Sequence, residues 1–143
     1  MLDTPIREVM QRRKVLKGAP ETLVSKAAKL MAKKNVGALL VIVGDHLVGI
    51  FTERDVVYRV VARGLDASKT EVSAVMTPAP HTVHPDAPFG HALLVMHENG
   101  FRHLPVVEND KPIGIVSART ALDPELEEFV FEAKRRKRYR EHR

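Results

Sequence analysis

The chain contains no cysteine, which excludes disulfides and thiolate metal sites and fits a reducing compartment. No run approaches the ~20 apolar residues that a membrane span needs, and no apolar stretch follows a basic start. The sequence therefore predicts a cytoplasmic protein without membrane insertion. Catalytic signatures are missing as well: there is no GxxxxGK[ST] loop, no GxGxxG, no HExxH and no serine with a credible base. The expectation is a non-enzyme with no catalytic residues. His81, His84, His91 and His97 fall within 17 residues, but no carboxylate at ligand spacing accompanies them. They read as solvated positions, and no metal is expected.

What is present is a 143-residue chain that is 44% apolar, enough for one ordinary domain or two small units sharing a core. Its net charge of +5 suggests a polyanion binder until it is located. Residues 134–143, KRRKRYREHR, carry +6, so the rest of the chain stands at −1. The body is nearly neutral and the basicity belongs to a tail.

A shift of 65 residues aligns 19–57 with 84–122 without a gap and gives nine identities in 39 positions. These are Pro20/Pro85, Ala27/Ala92, Met31/Met96, Leu39/Leu104, Val41/Val106, Asp45/Asp110, Gly49/Gly114, Ile50/Ile115 and Arg54/Arg119, while Thr52 faces Ser117. Val9-Met10 and Val75-Met76 recur ahead of each unit with one residue of slippage.

Within the first unit, Leu23, Val24, Ala27, Ala28, Leu30 and Met31 have helical spacing with lysines between them, predicting an amphipathic helix over 21–34. Ala38–Val43 and Leu47–Phe51 are short, β-branched-rich runs around Gly44-Asp45, a hairpin. A second helix is predicted from Thr52 through Val56, Val57, Val60 and Val61 to Gly64, and a short first strand near Val15. The second unit repeats the order with Phe89, Leu93, Leu94 and Met96, then Leu104–Val107, Asn109-Asp110, Ile113–Val116 and a short helix from Ser117. A unit of ~60 residues buries too little surface to stand alone, so the halves are expected to share a core about a pseudo-twofold axis.

Thr-Glu-Arg-Asp at 52–55 allows two readings. Thr52 can accept from a free N–H while Asp55 sits at the positive end of the helix, a capping box. The same carboxylate can accept both hydroxyls of a ribose, with helix N–H groups favouring a nearby phosphate.

The VMT ahead of the first strand of the second unit, HLPVV in its hairpin and GI[FV][TS]xR[DT] leading into each last helix resemble the tandem cystathionine-β-synthase (CBS) domain pair, or Bateman module, over roughly residues 4–122. The resemblance implies an α+β fold of duplicated β-α-β-β-α motifs, 1–66 and 67–122, packed with pseudo-twofold symmetry. A C-terminal basic amphipathic helix over 123–143 is read from the residues themselves. The resemblance further implies a regulatory sensor, commonly a homodimer, that binds AMP, ADP, ATP, NAD(H) or S-adenosylmethionine as a regulatory ligand, with no required cofactor, and signals to a protein partner that sequence does not identify.

Carried over by position, the family's ribose contacts fall on Asp55 and Thr52, and its phosphate contacts on Arg102 and His103. Arg54 and Arg119, the arginine repeated inside the motif, are further phosphate candidates. The adenine pocket maps to Ile50, Met76, Thr77, Pro78 and Phe101. The second unit departs from the pattern, since Thr120 stands where the first has Asp55. A cleft at Ser117 and Thr120 is therefore expected to be weaker. Arg102 and His103 also break the repeat, because Gly37 and Ala38 hold the matching positions.

The tail opens with Asp123-Pro124-Glu125, an N-cap and first turn, and places Leu126, Phe129, Val130 and Ala133 on one stripe before the basic run. It reads either as a solvated helix end or as a contact for RNA, DNA, anionic lipid or an acidic protein. The second option supports a competing reading, a structural or polyanion-binding adaptor with a vestigial cleft. A third reading is a regulatory subunit whose effector site forms only with its partner. If the tail holds polyanions, retention on heparin will weaken steeply with salt and vanish when residues 134–143 are removed; retention unchanged by that deletion contradicts the adaptor reading.

Overall fold

The computed structural model describes residues 2–13, 15–121, 132–138 and 140. The elements run α1 (Ile6–Val9), β1 (Leu16–Gly18), α2 (Val24–Lys34), β2 (Ala38–Val43), β3 (His46–Thr52) and α3 (Glu53–Asp55), which continues into a π-helix over Val56–Val61. A 3-10 turn at Val72–Ala74 leads to β4 (Thr77–Pro78), α4 (Phe89–Asn99), β5 (His103–Glu108), β6 (Lys111–Ser117) and a 3-10 turn at Ala118–Ala121. The predicted duplicated α+β order is thus present. Residues 132–138 are helical, with Lys134 to Arg138 exposed, whereas the proposed start at Asp123–Glu125 and the stripe at Leu126, Phe129 and Val130 lie outside the described residues.

The 65-residue shift holds residue by residue in the paired elements. α2 and α4 correspond residue for residue, as do β2 with β5 and β3 with β6, and each hairpin carries an irregularity at the same place, Val41/Ile42 and Val106/Val107. Helix α2 buries Val24, Ala27 and Met31 on one face and exposes Lys26, Lys29 and Lys33 on the other. In the second hairpin Asn109 and Asp110 both take left-handed φ values, 54° and 63°, as a two-residue turn with the twist of the strands requires.

The helix predicted from Thr52 differs in form. After three α residues it widens, and the Ala62 N–H reaches the Val57 carbonyl at 2.9 Å. Valines at 56, 57, 60 and 61 crowd a regular turn through their branched Cβ atoms, which accounts for the looser winding.

The units complete one another by exchange. β1, β2, β3 and β4 form one sheet in that order, and β4 comes from the segment between the units. The second sheet repeats this with single bridges: Val83 pairs parallel with Val106, and Gln11, from the N-terminal segment, pairs antiparallel with Ile115. The cores follow the strands. Val72 and Val75 pack with Leu16, Val24, Met31, Leu39 and Phe51, while Ile6 and Met10 pack with Phe89, Met96, Leu104 and Val116. Arg7 adds side-chain bonds to Asp86 and Glu108 at 3.3 and 2.7 Å. A smaller cluster of Ala38, Leu40 and Ile50, with Ile115 against it, joins the two halves. Among the described residues no helix is long and apolar enough to cross a membrane.

The repeated glycine and the repeated methionine meet in this exchange. Met76 lies against Gly49, and Met10 lies against Gly114. A Cβ at Gly114 would stand 2.7 Å from Met10 Sδ and 2.9 Å from the Gln11 carbonyl oxygen, and a backbone atom cannot rotate away. We expect Gly114→Ala to destabilise the protein by about 1–3 kcal/mol in urea unfolding; an unchanged midpoint would show that the N-terminal segment is not tightly seated.

Candidate functional site

A cleft of about 620 Å³ opens where the first unit's β3 turns into α3 and faces the start of β5. One wall is built from Ile50, Thr52, Glu53, Arg54, Asp55, Val57, Tyr58 and Arg59. The other is built from Asn99 to Leu104, with Thr77, Pro80 and His81 from the inter-unit segment completing it. Both units therefore contribute.

Asp55 is 7% exposed and is the one buried charged residue among the described residues. It is held by local bonds: the Thr52 N–H donates to Oδ2 at 2.8 Å and the Thr52 hydroxyl to the same oxygen at 3.2 Å. The Asp55 N–H in turn reaches Thr52 Oγ1 at 3.4 Å, which closes the capping box anticipated in the sequence. The other oxygen, Oδ1, stands 3.5 Å from Arg59 Nε and keeps acceptor capacity. Cap and candidate site are thus the same carboxylate used at different oxygens.

Cations surround it. Arg54 lies with its guanidinium carbon 4.9 Å from the Tyr58 ring centroid, and Arg102 is exposed on the facing wall. His103 is half-buried; the imidazole and Glu53 both flank Gly37, where a Cβ would lie 3.0 Å from His103 Nε2 and from Glu53 Oε1. Burial pushes the His103 pKa below its usual value, with Glu53 opposing and Arg102 reinforcing the shift. Burial thus favours the neutral imidazole. His81 tilts against Phe101 with ring centroids 5.4 Å apart, giving the cleft an aromatic edge.

A family profile described as CBS domain matches residues 6–62 and again 72–124. The chain belongs to the CBS domain family. The CBS domain-containing protein CBSCBSPB1 of Arabidopsis thaliana is 43% identical over 97 residues, which are 68% of this chain and 18% of that protein. The chain thus spans less than a fifth of the length of that relative. A solved structure of a conserved protein from Pyrococcus horikoshii superposes with a TM-score of 0.81 at 32% identity, covering 87% of this chain and 94% of the other. The CBS domain pair of protein MJ0100, solved in complex with 5′-methylthioadenosine and S-adenosyl-L-methionine, superposes at 0.75 with 24% identity over 82% of this chain and 96% of that one, a likeness of fold.

In this CBS pair the cleft brings together Thr52, Asp55, Arg54, Arg102, His103, Ile50, Thr77 and Phe101 of the residues singled out by sequence. It does not collect Met76 or Pro78: Met76 is turned against Gly49, and Pro78 pairs with Gly49 in the sheet. Ser117 ends β6 in the second motif and Arg119 lies in the 3-10 turn after it; neither is among the residues that line this cleft, and the Thr120 side chain lies outside the described ones. Sequence reasoning passed over Arg59, Tyr58 and His81. The spacing of Arg59, four residues after Asp55, was the available signal. His84 also acquires neighbours that spacing did not show: its donor atom and those of Asp86 and Glu108 lie within 4.8 Å of one another. Arg7 already bridges both carboxylates, so the group serves as an ion-pair cluster that fastens the N-terminal segment.

The direction of the His103 shift sets a pH dependence. A folded-state pKa below the unfolded one means that the unfolded chain binds more protons between the two values, so stability falls as pH drops below about 6.5. Urea midpoints at pH 7.5 and 5.5 should fall further for the wild type than for His103→Gln; equal falls would remove His103 from the balance.

Proposed function

We propose that this CBS pair is a non-catalytic regulatory module that binds an adenosine-containing ligand in its inter-motif cleft and passes the occupancy on to a protein partner. The observation that carries this reading is Asp55, a buried carboxylate set in the wall of a cleft that both motifs build. Oδ2 is held by the Thr52 N–H and hydroxyl, which fixes the carboxylate, while Oδ1 is available to ribose hydroxyls. Arg54, Arg102 and His103 supply donors and charge for phosphate. Ile50, Thr77 and Phe101, with His81 beside it, offer a part-apolar surface for a base. That a CBS pair of the same fold holds adenosyl compounds makes the class of ligand reasonable.

A ligand bound this way touches the acid of one motif and the bases of the other. Any difference in its affinity for two relative orientations of the motifs shifts their populations, and a partner reads the shift. We further assign the chain a homodimeric state. Val57, Tyr58 and Val61 on one helix and Leu65 just beyond it are exposed at 56%, 62%, 69% and 41%, apolar surface that a second copy can cover. The adaptor reading keeps one support, the exposed basic run from Lys134 to Arg138.

Isothermal titration calorimetry against AMP, ATP, NADH and S-adenosylmethionine tests the proposal. At least one should saturate, Asp55→Ala should weaken it by about tenfold or more, the scale of a lost charge-assisted bond, and Thr120→Ala should leave it nearly unchanged. Absence of binding by all four, or equal losses in the two variants, would overturn the reading.

A further inference from the structure

Arg59 is half-buried and stands one turn beyond Asp55. Its Nε lies 3.5 Å from Asp55 Oδ1. Its Nη1 donates to two backbone carbonyls, Val75 at 3.2 Å and Met76 at 3.0 Å. These two residues immediately precede β4, and Thr77, Pro80 and His81 just beyond them line the cleft. The guanidinium therefore spans from the acid on the first motif to the backbone of the segment between the motifs. A planar fork reaches the carboxylate from one nitrogen and the two carbonyls from another in a fixed geometry; an ammonium would have to make all three contacts from a single atom.

Orientation follows from these contacts. With Nη1 committed to Val75 and Met76, the charge of Arg59 is turned toward the protein, unlike that of Arg54 or Arg102, which are exposed. Oδ1, the oxygen left over by the capping box, is the one Arg59 approaches, so the position of the guanidinium sets where that acceptor points. The same residue fixes the 75–76 carbonyls, and through them the placing of Thr77 opposite.

We propose that Arg59 is a positioning residue for the ligand: it holds the Asp55 carboxylate and the inter-motif backbone in register, so that the ribose-accepting oxygen and the facing wall are set before a ligand arrives. The inference rests on the adenosyl reading given above and adds a role for a residue that need not touch phosphate.

Adenosine and AMP separate the possibilities, since they differ only in the phosphate. Titrations of the full chain, wild type beside Arg59→Met and Arg59→Lys, should show both ligands weakened about tenfold or more in both variants, by the same factor for adenosine as for AMP. Thermal unfolding of each variant checks that it folds, and Arg59→Lys carries the test if the methionine chain does not. Adenosine binding unchanged in Arg59→Met with only AMP weakened would make Arg59 a phosphate contact and overturn the inference. Wild-type affinity in Arg59→Lys would do the same, by showing that charge alone suffices. A wild type that binds neither adenosine nor AMP overturns this inference, and the adenosyl reading falls with it only if ATP, NADH and S-adenosylmethionine fail to bind as well, whereas wild-type binding with indifferent Arg59 variants overturns the inference alone.

Discussion

Each motif is finished by a piece of chain that precedes the other. Neither ~60-residue unit buries enough apolar surface to be stable by itself, and the remedy is an exchange: residues 72–78 close the first sheet and core, and residues 5–11 close the second. The contact that permits it is a methionine laid against a glycine, Met76 on Gly49 and Met10 on Gly114. Any side chain on those strands would lift the incoming segment off its partner. The segment that joins the motifs is also part of the first motif's sheet, so β4 ties the junction to that motif, and Thr77 at its start lines the cleft.

Asp55 is a helix cap whose carboxylate also stands in the wall of a cleft. A capping box needs only one carboxylate oxygen, and Oδ2 meets both demands of Thr52. The local bonds therefore do two things at once: they compensate for the desolvation of a buried acid, and they present the second oxygen at a fixed angle. An acid held by solvent alone at this place would lose its orientation. The following π-helix then brings Arg59 within reach of that second oxygen and of the inter-motif carbonyls. One turn of helix links the buried acid of the cleft to the geometry of the junction.

The fold was legible in the sequence wherever a feature was repeated. The ungapped 65-residue shift predicts both hairpins and both preceding helices, and the structure preserves it down to the irregularity between Val41 and Ile42 and its copy. The capping box at 52–55 was equally plain, because it is a local pattern. Two features had no local signal. Nothing in residues 5–11 says which motif will receive Ile6 and Met10, since an apolar residue ahead of a strand fits either core. The widening after Asp55 depends on crowding among successive valines, which periodicity reads simply as helix. Arg59 sat on that helix as one more surface cation until its carbonyl partners, 16 and 17 residues away, came into view. His84 was set aside for want of a carboxylate at ligand spacing, yet Asp86 and Glu108 stand beside it, the latter from a different strand.

The departures from internal symmetry have a common logic. The first motif keeps the acid at 55 and has Gly37 and Ala38 ahead of its hairpin; the second has Arg102 and His103 there and Thr120 in place of the acid. Each motif has half of a charged site, and the halves differ in sign. Pseudo-twofold packing puts the end of the first motif's β3 against the start of the second motif's β5, so that acid and bases fall into a single cleft. By the same symmetry the counterpart positions are Gly37, Ala38, Ser117 and Thr120, a set without charge. Had one motif kept both groups, the acid and the bases would face different clefts, and neither cleft could offer an acceptor for a diol opposite donors for an anion. Opposite charged groups in the two motifs are therefore sufficient to turn two equivalent grooves into one polarised groove, with no rearrangement of the backbone that frames it.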